Sequence, residues 1–122
     1  MTELSDRLEA IRVAAERHVG VSDYEHLLGS LADFLESGSV DRHEAAAALI
    51  GLTQGVDRLP WGAIETLEFT MHRLRWPEVH AALVNLEEHG PNGAVRHNAR
   101  QLQAAFADDW DGGEIYRAYR QS

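Results

Sequence analysis

The chain has 122 residues, 44% of them hydrophobic and 25% charged, and its twenty acidic residues against eleven arginines give a net charge of −9. This length predicts one domain over residues 1–122 that buries roughly two thirds of its unfolded surface, and its acidic field repels nucleic-acid phosphates and anionic lipids. Because the chain contains neither cysteine nor lysine, disulfides, thiolate nucleophiles, cysteine metal sites, Schiff-base chemistry and a P-loop lysine are all excluded.

Two helices are predicted in the first third of the chain. Apolar residues at helical spacing predict a helix over residues 4–19, which Gly20 ends. Ser22 followed by Glu25 matches a capping box, so we expect the second helix to begin there. Its apolar stripe is broad, which indicates burial against more than one neighbour. The stripe comprises Tyr24, Leu27, Leu28, Leu31, Phe34 and Leu35.

The third helix is predicted over residues 43–54. Asp41 with Glu44 repeats the capping pattern at its start, and Gly55 follows its end. Four successive alanines at positions 45–48 present small side chains, so a neighbouring helix can approach this one closely.

The stretch from 60 to 88 contains two helices that meet at a proline corner. Proline is favoured at the first position of a helix, so Pro60 and Pro77 each predict a helix start. The fourth helix has large side chains on two faces and is therefore expected to lie between two neighbours. One face carries Ile64, Leu67, Met71 and Leu74, and the other carries Trp61, Glu65, Phe69, His72 and Trp76. The fifth helix has a single apolar stripe: Val79, Leu83 and Leu86.

The C-terminal part begins with a strong breaker at residues 89–93, after which a sixth helix is predicted over 94–107. Residues 108–113 form an acidic turn whose Trp110 is expected to fold back onto the core. The turn fails the calcium-loop pattern, since glycine does not fall at the sixth place counted from Asp109. A short last helix is predicted over residues 114–120.

The sequence therefore predicts an all-α fold with six helices and a short seventh. Short connections make consecutive helices antiparallel or sharply crossed, and two arrangements satisfy this: stacked helical hairpins or an irregular helical bundle. We favour the stack. The sequence VRHNARQLQAAF resembles the second helix of a HEAT-type repeat, and residues 76–106 resemble one whole unit. Helices 3 and 4 would form another unit. This resemblance implies a scaffold that binds other macromolecules on an extended face.

Metal and catalytic signatures are weak. Glu65, Glu68 and His72 share an edge of the fourth helix, with His80 nearby. A helical carboxylate–histidine site needs Glu-x-x-His pairs from several helices, and only Asp23-x-x-His26 has that spacing here. No HExxH, GxSxG or glycine-rich phosphate loop is present. We therefore predict no metal, no cofactor and no catalytic residues.

The leading hypothesis is a non-enzymatic protein-binding module that occludes a basic partner with an acidic helical face. In its gross features the chain is similar to small acidic bacterial immunity proteins. An aromatic residue that proves exposed would be the anchor of the interface, with acids and a histidine around it; otherwise the aromatics belong to the core. The predicted binding set is Trp61, Glu65, Glu68, Phe69, His72 and Trp76.

Two alternatives remain open. One is a metal-dependent hydrolase with a histidine and carboxylate site between helices 4, 5 and 6. The other is a structural subunit or homodimer, which predicts a large exposed apolar patch. No run approaches the ~20 apolar residues of a membrane span, and the N-terminus lacks the features of a secretory signal. We therefore expect a cytoplasmic protein without membrane contact.

Overall fold

The computed structural model describes residues 2–17, 20–53 and 62–119. Within these ranges the chain is all-α and has no strand, which confirms the predicted fold class. The six helices are α1 (Glu3–Arg17), α2 (Glu25–Glu36), α3 (Arg42–Gly51), α4 (Ala63–Leu74), α5 (Pro77–His89) and α6 (Gly93–Gln103). Four short 3₁₀ turns cover Val21–Asp23, Ala104–Phe106, Asp111–Ile115 and Arg117–Tyr119. Over the described ranges, every helix is too short or too polar to cross a membrane.

Local chemistry explains where α3, α5 and α6 begin. The Asp41 carboxylate accepts a hydrogen bond from the backbone N–H of Glu44 at 3.0 Å, which confirms the predicted cap of α3. Pro77 is the first residue of α5, as predicted, and Trp76 before it has an extended backbone. The side chain of Asn92 caps α6 by accepting a hydrogen bond from Val95 N–H at 2.9 Å. Capping side chains therefore set the starts of α3 and α6, and a proline sets the start of α5.

The predicted capping box at the start of α2 is wrong. Residues Val21–Asp23 form a 3₁₀ turn, and α2 begins at Glu25 after an N-cap residue, Tyr24, whose side chain makes no capping bond. The Glu25 carboxylate instead accepts hydrogen bonds from the backbone N–H groups of Arg117 at 2.8 Å and Ala118 at 3.1 Å. A tertiary contact has replaced the local one that the sequence pattern suggested.

One further boundary differs from the prediction, and another lies outside the described residues. The short helix predicted over 114–120 is a pair of 3₁₀ turns, which lets both Tyr116 and Tyr119 turn inward onto α4. The fourth helix is described from Ala63, so the start predicted at Pro60 lies outside the described residues.

Gly62 positions the start of α4 against α1. Its φ of 77° lies in the left-handed region, where residues with a side chain are strained. A Cβ built at this position would lie 3.0 Å from the Cβ of Ala15 and 3.2 Å from Cγ2 of Ile11. Both the backbone conformation and the close approach therefore require glycine.

Helix α4 lies at the centre of the fold, as its two-faced pattern predicted. It packs against α2, α6 and the turn Ala104–Phe106, while α1 packs on α2 and α5 has its most extensive contact with α6. The main neighbour of α3 is α5, whereas the stacked arrangement would pair α3 with α4. The contacts of α2 with α4, of α3 with α5 and of α4 with α6 thus join helices that are two apart in the chain. Fully buried side chains fill its core: Ile11, Leu28, Leu31, Leu49, Leu67, Met71, Val79, Leu83, Val95 and Tyr116.

Candidate functional site

The face of α4 that carries the predicted binding residues is covered by the C-terminal segment, which we define as residues 104–119. Phe69 is only 3% exposed. Its ring centroid lies 5.1 Å from that of Tyr116 and 4.9 Å from that of Tyr119. The Tyr119 hydroxyl also donates a hydrogen bond to the Phe69 carbonyl at 2.6 Å. Phe69 is therefore a core residue and does not meet the exposure condition for an anchor.

Trp76 is also buried, at 6% exposure, and its ring faces an arginine of the same chain. The guanidinium carbon of Arg42 lies 4.2 Å from the Trp76 ring centroid. The same guanidinium donates two hydrogen bonds to the Glu78 carboxylate, at 2.9 and 2.8 Å. Trp76 is therefore not an exposed anchor either, and Trp61, the third predicted anchor, lies outside the described residues.

The polar members of the predicted set bind other parts of the chain. Glu65 accepts a hydrogen bond from the Tyr24 hydroxyl at 3.1 Å, and Glu68 accepts one from the Tyr116 hydroxyl at 2.5 Å. His72 Nδ1 lies 2.8 Å from the Ala105 carbonyl oxygen. A carbonyl oxygen only accepts hydrogen bonds, so Nδ1 carries the proton and donates it.

These contacts do not assemble a metal site. Glu65 faces α2, whereas Glu68 and His72 face the C-terminal segment. Across residues 2–17, 20–53 and 62–119, no group of three or more histidine or acidic side chains could hold a metal ion. The face that the sequence analysis singled out for binding thus fixes the C-terminal segment to α4.

A cleft opens beside this contact, between α4, α6 and the C-terminal segment. It has a volume of about 500 Å³. We call it the Trp110 cleft, and it is lined by Glu68, Gln101, Ala104, Ala107, Asp109, Trp110, Asp111 and Gly112. Among the described residues, its lining contains three carboxyl groups and one indole ring, and no basic side chain. Of the predicted binding set, only Glu68 contributes to it.

Trp110 forms a fixed wall of the cleft because glycine backbones pack against its ring. A Cβ added at Gly112 would lie 2.6 Å from the indole Nε1, and one added at Gly113 would lie 3.0 Å from Cε3. The ring is half-buried and lies 4.9 Å, centroid to centroid, from the His72 ring. The prediction that Trp110 folds back onto the core is confirmed, and its remaining surface lines the cleft.

Burial controls the charge of Glu68. Loss of solvent raises the pKa of its carboxyl group from 4.5 to about 7; the Tyr116 hydrogen bond opposes this rise, and the nearby Glu65 adds to it. Burial, together with the Glu68 carboxylate, also raises the pKa of Tyr116 well above its usual value. Glu68 is therefore partly protonated near neutral pH, while the Tyr116 hydroxyl keeps its proton.

Asp109 and Asp111 are exposed and supply two of the carboxylates that line the cleft. Within the described part of the chain neither side chain makes a hydrogen bond or an ion pair. The adjacent Asp108 differs, since it pairs with Arg75 at 2.6 Å. Two carboxylates beside an aromatic wall are therefore open to an external cation.

A second cleft, of about 430 Å³, lies between α2, α4 and the C-terminal segment. Its lining residues are Ser22, Glu25, His26, Gly29, Phe69, Arg117 and Ala118. Arg117 and Glu25 both line this cleft, so its lining already includes a positively charged side chain of the same chain.

The acidic turn is recognisable in the sequence, but no binding role was predicted for it. The available signal was the run Asp-Asp-Trp-Asp-Gly-Gly at positions 108–113, in which acids flank a large ring and glycines allow the backbone to approach that ring. What the run could not reveal is its position beside Glu68, which lies more than forty residues earlier in the chain.

No known protein family, curated protein or solved structure matches this chain. The resemblance of residues 76–106 to a HEAT-type repeat and the gross similarity to immunity proteins therefore stay predictions.

Proposed function

We propose that this chain is a non-enzymatic protein-binding module that occludes a basic partner with its acidic helical surface, in the manner of an immunity or inhibitor protein. The observation that carries this proposal is the Trp110 cleft, which combines three carboxyl groups with an aromatic wall and has no basic side chain among the described residues that line it. Aromatic residues are enriched at the buried centres of protein interfaces, and polar groups surround them at the rim.

The distribution of ion pairs supports a negative outer surface. Five arginines in the described ranges are engaged by carboxylates of the same chain at 3.2 Å or less: Arg7, Arg12, Arg42, Arg73 and Arg75. Since these cations are locally neutralised, the surplus carboxylates determine the field outside the protein. Asp6, Glu44, Asp109 and Asp111 are examples that are exposed. A field of this sign attracts a basic surface and speeds its association.

The lining of the cleft supports binding over catalysis. It contains carboxyl groups, one amide and small side chains, without a serine, threonine or histidine. The neighbouring His72 uses Nδ1 to bind the Ala105 carbonyl. Occlusion needs only a complementary surface, so the proposal assigns no residue to bond breaking.

The test begins with co-expression of the chain with the products of the adjacent genes, followed by isolation of any complex. We expect a one-to-one complex with a partner that has a basic surface, and an association rate that falls at least about tenfold between 50 mM and 500 mM salt. The double variant Asp109→Asn with Asp111→Asn should weaken the complex. The control variant Asp6→Asn with Glu44→Gln removes the same charge elsewhere and should weaken it less. Salt-independent association, or a partner without a basic surface, would overturn the proposal.

The same material separates the two alternatives. Stoichiometric metal in the purified protein, found by elemental analysis, would favour the hydrolase. A stable dimer in a size measurement would favour the structural subunit. In the described residues Ile115, at 49% exposure, is the one large hydrophobic side chain that is exposed, so the apolar patch expected of such a dimer has no counterpart there.

A further inference from the structure

We infer that the Trp110 cleft receives one arginine side chain of the partner, with its guanidinium against the Trp110 ring and its N–H groups donating to Asp109 and Asp111. This inference rests on the proposed function and specifies which chemical groups form the contact between the cleft and the partner. The occupant is an arginine in a polypeptide, as distinct from a free organic cation.

The fold contains an internal example of the same arrangement. Arg42 lies 4.2 Å from the Trp76 ring centroid and donates two hydrogen bonds to Glu78. An indole ring and a carboxylate thus already bind a guanidinium in this protein. The Trp110 cleft repeats the ring and the carboxylates, but without an arginine in its lining.

Arg75, which directly follows α4, is already bound elsewhere. Arg75 donates to Asp108 at 2.6 Å and to the His72 carbonyl at 3.1 Å. Arg117 lines the second cleft. Within residues 2–17, 20–53 and 62–119, no arginine lines the Trp110 cleft, so its acids are complementary to a cation from a partner.

The aromatic ring and the carboxylates that line the cleft favour guanidinium over ammonium. A guanidinium is planar, stacks on an aromatic face and presents five N–H donors, whereas an ammonium is a compact and strongly hydrated point charge. The Trp110 ring is fixed by the backbones of Gly112 and Gly113, so its orientation needs no adjustment when a flat group stacks on it. Carboxylates from two positions of the turn can then accept from different edges of the same guanidinium.

A peptide experiment tests this directly. The isotope-labelled protein is titrated at low ionic strength with acetyl-Gly-Arg-Gly-amide, and the indole N–H signal of Trp110 is followed by nuclear magnetic resonance. We expect a saturable shift with a dissociation constant on the order of 10 mM, because one cation–π contact and two exposed ion pairs are weak. The lysine peptide should bind several-fold more weakly. The citrulline peptide, which has the same shape without charge, should produce no saturable shift.

Variants locate the contact. Asp109→Asn with Asp111→Asn should lower the association constant by about fivefold to tenfold, since two exposed ion pairs are lost. The matched variant Asp6→Asn with Glu44→Gln should leave it unchanged within about twofold. The inference is overturned if citrulline binds as well as arginine, if the two double variants behave alike, or if spermidine binds more tightly than the arginine peptide.

The outcome is separable from that of the proposed function. Arginine-specific binding in the cleft, together with failure to find any basic partner protein, would contradict the proposed function alone. A basic partner whose affinity is unchanged by Asp109→Asn with Asp111→Asn would contradict the inference alone.

Discussion

The Tyr116 hydroxyl donates a hydrogen bond to the Glu68 carboxyl group across 2.5 Å, and this contact joins the end of the described chain to the middle of its central helix. Tyr116 is fully buried, and its ring packs edge-on against Phe69. The contact therefore covers this face of α4, and Glu68 also lines the Trp110 cleft.

Glu68→Gln should stabilise the protein in a pH-dependent manner. The folded pKa of about 7 lies above the ordinary value of 4.5, so between these values the unfolded chain loses its proton while the folded chain retains it. The free energy of unfolding of the wild type therefore falls as pH rises from 4.5 to 7. Glutamine carries no titrating proton, so Glu68→Gln avoids this loss of stability. After discounting for partial exposure, we expect its free energy of unfolding to exceed that of the wild type by about 1 to 2 kcal/mol at pH 8 and to differ little at pH 4.

Denaturant unfolding of both proteins at pH 4, 6 and 8 measures this difference. Glu44→Gln, at an exposed position on α3, is the control and should show no such trend. An identical difference between Glu68→Gln and wild type at all three pH values would mean that Glu68 titrates normally.

Tyr116→Phe should destabilise the protein by about 1 to 2 kcal/mol, because the buried carboxyl group loses its donor while the ring remains. The hydrogen bond lowers the pKa of Glu68, so the variant should also raise that pKa further. In a double-mutant cycle with Glu68→Gln, unfolding free energies should give a coupling on the order of 1 kcal/mol. Tyr119→Phe is the matched control, since its hydroxyl binds the Phe69 carbonyl, and its coupling to Glu68→Gln should be close to zero.

Gly62→Ala should cost at least about 2 kcal/mol. The left-handed backbone disfavours a side chain, and the added methyl group would press on Ala15 at 3.0 Å. Gly29→Ala is the counterpart: Gly29 lies inside α2 and a Cβ there meets nothing within 4 Å, so alanine should stabilise by about 0.5 to 1 kcal/mol. Thermal unfolding of wild type and of both variants measures the two changes in stability. If Gly29→Ala were also destabilising, α2 would not accept alanine at position 29 for a reason other than steric contact.

Local patterns predicted most of the helices and two of their starts. Asp41 and Pro77 act within one helical turn, where the partner is a neighbouring backbone group, so their effect can be read from a few residues. Ser22 and Glu25 fit the same kind of pattern, yet Glu25 binds backbone N–H groups that lie more than ninety residues later. A capping motif is thus overridden when the fold supplies a distant competitor.

The binding face was harder to predict for a related reason. Helical spacing correctly placed large residues on two sides of α4, but spacing cannot tell whether a face is covered by another helix, by the chain's own C-terminal segment or by a partner. Phe69 and His72 are covered by residues 104–119. The acidic turn, interpreted from the sequence as solvated, is exposed at Asp109 and Asp111, and these two residues also provide two of the three carboxyl groups that line the cleft.

By itself the sequence determined an acidic, cysteine-free, all-α chain with α4 buried on two sides, because composition and periodicity are properties of residues close together. Only the tertiary structure decided that α3 pairs with α5, that Tyr116 binds Glu68, and that Trp110 and its acids line a cleft. Those relationships depend on which distant surfaces exclude water together, and no local pattern encodes that choice.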